Sequence, residues 1–222
     1  MRYYRIATGG GPRWAREDGG TPTKVVAIGL NYRDHAAEVK KPLPTEPLFF
    51  LKPPSAVIGP GDAIRKPAWA GRVDHEAEMG VVVGRVAFDL SGSEAASGCI
   101  FGVTAVNDVT ARELQRRDVQ YTRAKGFDTF CPIGPAVVTG LDPDRLRVVG
   151  RVNGQVRQQS DTGQLVFPAA HLVWFVSRVM TLLPGDIIST GTPAGISPLE
   201  AGDRVEVEVE GVGVLANPVT DR

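Results

Sequence analysis

Breaks in this chain come too often for long helices. It holds 26 glycines and 17 prolines, spread along 222 residues. Glycine admits φ > 0, and proline fixes φ and lacks an N–H, so each punctuates regular structure. Many turns mean many short strands, and the fold expected is mixed α/β but mainly β, with a few peripheral helices. A hydrophobic content of 42% is enough for a sizeable core. The length fits one domain of ordinary size or two small ones, and no repeat, low-complexity tract or linker divides it. Lys+Arg and Asp+Glu are 25 each. That balance gives no electrostatic argument for nucleic acid or an anionic membrane as partner. No stretch approaches the ~20 apolar residues of a membrane span, and the N-terminus lacks an apolar signal core. Cys99 and Cys131 read as two buried thiols in a reducing cytoplasm, the expected location.

Residues 1–20 read as a hairpin extension turning at Gly9-Gly10-Gly11, ahead of a main unit over 21–222. Lys24–Gly29 and Leu48–Lys52 are expected strands. Between them, 31–46 is polar and then proline-rich (Pro42, Pro44, Pro47), which predicts a short helix and a mobile segment able to act as a lid over 31–47. A strand through Glu76 and Glu78 is expected to continue to Val86. A helical turn at Ser93–Ser97 leads into a strand over Ile100–Val106. Thr110-Ala111-Arg112-Glu113 has the capping-box pattern, predicting a helix from Thr110 to near Tyr121 with Arg112 and Gln115 on one face. The clearest helix is His171–Leu183, where Leu172, Phe175, Val176, Val179, Met180 and Leu183 follow helical spacing before Pro184-Gly185. Strands follow at Asp186–Thr190 and at Asp203–Glu210, the latter alternating valine with solubilising glutamate.

Chemistry concentrates in a few places. Glu76 and Glu78, one residue apart, share a strand face about 6–7 Å apart. Two carboxylates at the edge of an apolar strand repel and lose hydration unless a cation lies between them. Asp108 ends another apolar run. Three oxygen donors without a cysteine or histidine pair suit Mg²⁺ or Mn²⁺ better than Zn²⁺. A solvated strand face is the competing reading. His35 and Glu38, three apart on a helix, can form a carboxylate-oriented base, or merely a surface ion pair. Lys125, beside Gly126 and near Phe127 and Phe130, either balances the acidic cluster or snorkels at the surface. Ser189-Thr190-Gly191-Thr192-Pro193 offers N–H groups and a hydroxyl to a carboxylate. It lacks the ending of a P-loop, so nucleotide binding is not supported.

Together these segments resemble the fumarylacetoacetate hydrolase superfamily: Gly-Leu-Asn-Tyr-x-Asp-His-x-x-Glu at 29–38, Asp-His-Glu-x-Glu at 74–78, Asn-Asp-x-Thr-Ala-Arg at 107–112, Lys-x-Phe-Asp-Thr-Phe at 125–130 and Gly-Thr-Pro-x-Gly at 191–195. The resemblance implies a β-roll or flattened barrel of short mixed strands, in a homodimer. It implies Glu76, Glu78 and Asp108 as ligands of Mg²⁺ or Mn²⁺. His35 and Glu38 match a catalytic dyad, Lys125 an active-site lysine, and Arg112, Gln115, Gly191 and Thr192 substrate-binding positions. Arg33 stands where alanine is frequent, and Glu113 where aspartate is, the latter expected to cap equally well. With some twenty residues ahead of the shared core, the chain is similar to the compact acylpyruvase and oxaloacetate decarboxylase group. The implied reaction is cleavage of a C–C bond in a 3-acylpyruvate, a small 2-oxo acid, through an enolate. Oxaloacetate decarboxylation and isomerisation of a hydroxydienedioate use the same intermediate. A metal-holding scaffold without catalysis is the non-enzymatic alternative.

Overall fold

The computed structural model describes residues 3–8, 11–16 and 22–222. In chain order its strands begin with β1 (Tyr3–Thr8), β2 (Gly11–Arg16), β3 (Val25–Gly29), β4 (Leu48–Lys52), β5 (Val57–Ile58), β6 (Ile64–Lys66), β7 (Val73–His75) and β8 (Ala77–Val83). They continue with β9 (Ile100–Asn107), β10 (Thr110–Ala111), β11 (Cys131–Val138), β12 (Arg147–Val152) and β13 (Gln155–Asp161). The last are β14 (Ile187–Ser189), β15 (Ser197–Pro198), β16 (Arg204–Val209) and β17 (Gly213–Asp221). The helices are α1 (Arg33–Glu38), α2 (Ser93–Ser97), α3 (Arg112–Arg117), α4 (Thr122–Lys125) and α5 (Ala169–Ser177). β1 and β2 pair antiparallel as the expected hairpin; Gly9 and Gly10 of its turn lie outside the described residues.

The fold is mainly β, as the density of turn residues predicts. A curled nine-stranded sheet runs β1-β2-β11-β9-β8-β14-β3-β4, with β5 added beside β11. A five-stranded sheet runs β13-β12-β16-β17-β6, and β10-β7-β15 make a third, small one. The main core lies where Met79, Val81, Val103, Val148, Val207 and Leu172 meet, joining the two large sheets and α5. On β16, Val205, Val207 and Val209 are buried while the intervening glutamates stay partly accessible, as period-2 alternation demands. β8 is buried at all seven positions, so its face bearing Glu78 is also covered. Among the described residues no helix is long and apolar enough to cross a membrane.

Three expected elements change. The helix expected over His171–Leu183 is α5, which starts at Ala169 and ends at Ser177. The backbone beyond it is taken by the 87–90 segment: Ala87 and Leu182 exchange both backbone hydrogen bonds at 2.9 Å, and Asp89 N–H donates to the Ser177 carbonyl. Val179 and Leu183 are consequently 61% and 38% exposed rather than part of a buried stripe. The helix expected from Thr110 starts two residues later, because Thr110 and Ala111 pair with Asp74 and Val73 in a sheet. Thr110 Oγ1 donates to the Asp108 carbonyl instead of capping. Glu113 does not cap either; its carboxylate lies over Gly71, where an added Cβ would come within 2.1 Å of it. The strand expected to carry Glu76 and Glu78 through to Val86 is interrupted at Glu76 and ends at Val83. Glu76 is the joint between β7 of the small sheet and β8 of the large one.

Candidate active site

Sheet register assembles the acidic cluster. β8 and β9 pair antiparallel, with Ala77 opposite Asn107. One step further, Asp108 faces Glu76 and its N–H donates to the Glu76 carbonyl at 3.0 Å. The Asn107 side chain accepts the Glu76 N–H at 3.0 Å. β14 lies on the other edge of β8, with Ser189 opposite Gly80, so the loop after it runs past Glu78 and Ala77. Gly191 N–H and the Ser189 hydroxyl donate to Glu78 Oε2. Thr192 Oγ1 donates to the Ala77 carbonyl at 3.0 Å and accepts from Gln158. Gly191 has φ +98, and an added Cβ would meet Asn31 at 2.9 Å, so no other residue fits there without strain.

Glu76, Glu78 and Asp108 are all buried, and each offers an oxygen within 4.8 Å of the others'. The solvated-face reading is thereby overturned. Lys125, also buried, contacts Glu76 Oε2 at 2.8 Å and Asp108 Oδ2 at 2.5 Å, so it is no snorkelling surface lysine. Its Nζ also lies 5.0 Å from the Phe50 ring centre. Fully buried Lys52 pairs with Asp108 Oδ1 and donates to the Val109 carbonyl. Arg112 Nε bonds Asp74, and Arg112 Nη1 bonds Gln115 at 2.9 Å, the shared helix face expected of that pair. Arg112 Nη2 lies 2.6 Å from Glu76 Oε1 but out of line for a hydrogen bond.

These partners set the charge states. Burial would raise the Glu76 carboxyl, but Lys125 and Arg112 outweigh it and hold the group well below the usual carboxylate range. Glu78 goes the other way. Burial, Asp108 and Glu76 push it well above its usual value, and among the described residues it forms no ion pair. A buried carboxylate in that position takes up a proton or a cation. An all-oxygen cluster with one carboxylate lacking a basic partner fits a hard divalent ion.

His35 and Glu38 sit on α1, and His35 lines the same cavity as Glu76. His35 Nδ1 is 2.8 Å from Glu38 Oε2, and Glu38 Oε1 accepts the Gly195 N–H at 3.0 Å. An ionised Glu38 accepts from Nδ1–H, which leaves the lone pair on Nε2. Asp34 accepts from Ser160 at 2.6 Å, and buried Asn31 bonds the backbone of Phe167 and Thr190. α1 is thus tied to the body at several points. A cavity of about 390 Å³ is lined by His35, Glu76, Arg112, Gln115, Lys125 and Thr192 together with apolar side chains. Of the predicted site residues, His35, Glu76, Arg112, Gln115, Lys125 and Thr192 line this cavity; Glu38, Glu78, Asp108 and Gly191 do not, but each bonds or pairs with a neighbour in the site, Gly191 through its N–H to Glu78. Lys52, Asn31, Asp74 and Gln158 were not singled out from sequence. Lys52 carried a signal, a lysine ending the apolar run Leu48-Phe49-Phe50-Leu51; Gln158, in a polar strand, carried none.

Comparison with known proteins finds relatives over most of the chain. Residues 24–220 match the family described as fumarylacetoacetate (FAA) hydrolase C-terminal. A solved structure of 5-carboxymethyl-2-hydroxymuconate delta-isomerase from Mycobacterium smegmatis is 43% identical with a TM-score of 0.87, covering 100% of this chain and 99% of that one. The mitochondrial oxaloacetate tautomerase FAHD2A of Bos taurus is 43% identical over 210 residues, 89% of this chain and 67% of its own. Maleylpyruvate hydrolase from Sphingobium sp. SYK-6, solved with manganese(II) and pyruvate, is 34% identical with a TM-score of 0.78, covering 90% and 71%.

Proposed function

The chain belongs to the fumarylacetoacetate hydrolase superfamily, and on that footing we propose that it is a metal-dependent enzyme moving a proton at C3 of a small 2-oxo acid, a tautomerase or isomerase. The observation carrying this reading is that His35, oriented by Glu38, opens onto the same cavity as Glu76 and Lys125. Glu76, Glu78 and Asp108 would hold a divalent ion, Mg²⁺ or Mn²⁺, and the chemistry it would supply is Lewis-acid stabilisation of negative charge on the substrate. His35 Nε2 takes a proton from C3 of the substrate, and the Glu38 carboxylate balances the imidazolium that results. The same nitrogen returns the proton, to oxygen in enol formation or to another carbon in isomerisation. Lys125 adds fixed positive charge where the oxyanion forms, in a site dry enough for that charge to count. Thr192 and Gln115 line the space for the substrate. The tautomerase and isomerase relatives, both 43% identical, support proton transfer as the reaction.

Hydrolysis of a 3-acylpyruvate is the second reading. An oriented His35 can equally deprotonate water, and the maleylpyruvate hydrolase relative favours it. One assay separates the readings. The protein is mixed with oxaloacetate and, separately, acetylpyruvate, each with Mg²⁺ or with EDTA. Metal-dependent enol–keto exchange without loss of CO₂ supports the tautomerase, and pyruvate plus acetate from acetylpyruvate supports the hydrolase. Pyruvate and CO₂ from oxaloacetate make it a decarboxylase. Failure to turn over either acid while still binding oxalate contradicts an enzymatic role on these substrates.

A further inference from the structure

Lysine grips Asp108 on both of its oxygens. Lys125 contacts Oδ2 at 2.5 Å and lines the cavity. Lys52 donates to Oδ1 and, at 3.2 Å, to the Val109 carbonyl. Lys52 is fully buried and does not line the cavity, so it can act on a ligand there only through Asp108. It closes β4 opposite Val25, which belongs to an apolar cluster with Val106, Cys131 and Ile187. Stability alone does not explain an ammonium in that place. A buried ion pair is often no more stabilising than apolar side chains of similar volume. Glu78 shows the contrast: its Oε2 accepts from neutral donors, the Ser189 hydroxyl and the Gly191 N–H.

We propose that Lys52 is a positioning residue that tunes the metal centre from behind Asp108, lowering metal affinity and raising the affinity of the loaded site for an anion. By keeping Oδ1, it leaves Asp108 a single oxygen for the ion. Its charge makes Asp108 a weaker donor, so the ion is held less tightly than three free carboxylates would hold it. The positive charge that is not neutralised acts on an anionic ligand, in a buried site where screening is weak. This rests on the proposed metal ligands and adds a residue behind them.

Lys52→Gln keeps an N–H donor for Asp108 and removes the charge. Calorimetry gives the Mn²⁺ Kd of each protein, then the Kd of oxalate, a dianion, for each Mn²⁺-loaded protein. In the variant Mn²⁺ is expected to bind about tenfold more tightly and oxalate about fivefold more weakly. The opposite signs are decisive, because losing a residue needed only for structure lowers both affinities together. Any other pattern, both falling or neither changing included, overturns the inference while the ligand assignment stands. Mn²⁺ that binds equally well to Glu78→Gln overturns the assignment, and this inference with it. Should Lys52→Gln not fold, Mn²⁺-loaded crystals of the unsubstituted protein decide. Oδ1 still on Lys52 with Oδ2 alone on the ion supports the inference; both oxygens on the ion with Lys52 displaced overturns it.

Discussion

Two halves of one cavity are built in different ways. The acidic half is a product of sheet register. β8, β9 and β14 fix Glu78, Asp108 and the 189–192 loop through backbone pairing, and every carboxylate there is buried. The basic half is a six-residue helix, α1, too short to be stable alone. It is held by side chains: Asn31, Asp34 to Ser160, and Glu38 to the Gly195 N–H. Its Glu38 side chain is partly exposed. The first half resists small changes and fails outright when a ligand is lost. The second is adjustable, and its failures should be graded.

The largest effect should come from Glu78→Gln. It removes the carboxylate that has no basic partner, so Mn²⁺ affinity should fall by about 100-fold or more and turnover should vanish. The metal-free protein should melt no lower, because burial, Asp108 and Glu76 already favour the neutral, protonated Glu78 that glutamine imitates. A variant with unimpaired Mn²⁺ binding breaks the ligand assignment. His35→Ala comes next, with kcat reduced about 10²–10⁴-fold and Mn²⁺ affinity unchanged. Equal damage to both would mean that the two halves are not separable.

Acid should strain the sheet-built half in a predictable window. His75 is buried beside Glu76, with its pKa lowered to about 4 by burial, aided by Arg112 and Arg157 and opposed by Asp74 and Glu76. The unfolded chain therefore binds the proton first, near pH 6.5. Stability is intact above that pH and falls by about 3 kcal/mol as pH drops through the folded value. Denaturant unfolding across pH 7 to 4 measures it, and His75→Asn should flatten that slope. The smallest effect is on the adjustable half. Ser160→Ala removes one anchor of α1, worth about 1 kcal/mol, and should lower kcat several-fold while metal affinity and the pH dependence of stability stay put. An unchanged kcat would show that the remaining anchors suffice.

What could be read from the chain follows the same division. Glu76, Glu78 and Asp108 were legible because carboxylates at the ends of apolar runs are costly without a purpose, and they do converge; Lys125, beside Gly126 and near two phenylalanines, was left between balancing them and the surface, and it contacts Glu76 and Asp108. The contact between His35 and Glu38 was legible from i, i+3 spacing. Helix ends were misread where tertiary pairing overrode local pattern. Val179 and Leu183 keep helical spacing, yet the 87–90 segment claims that backbone. Thr110 and Glu113 spell a capping box, yet Thr110 is in a sheet. Lys52 and Asn31 act through contacts 56 and 159 residues away, which no local pattern encodes.

The most direct test is diffraction from Mn²⁺-soaked crystals recorded for the anomalous signal of manganese. A single strong peak bonded to oxygens of Glu76, Glu78 and Asp108, beside the cavity that His35 lines, is the predicted result. Saturating Mn²⁺ with no peak there, or a peak held by other residues, contradicts the account.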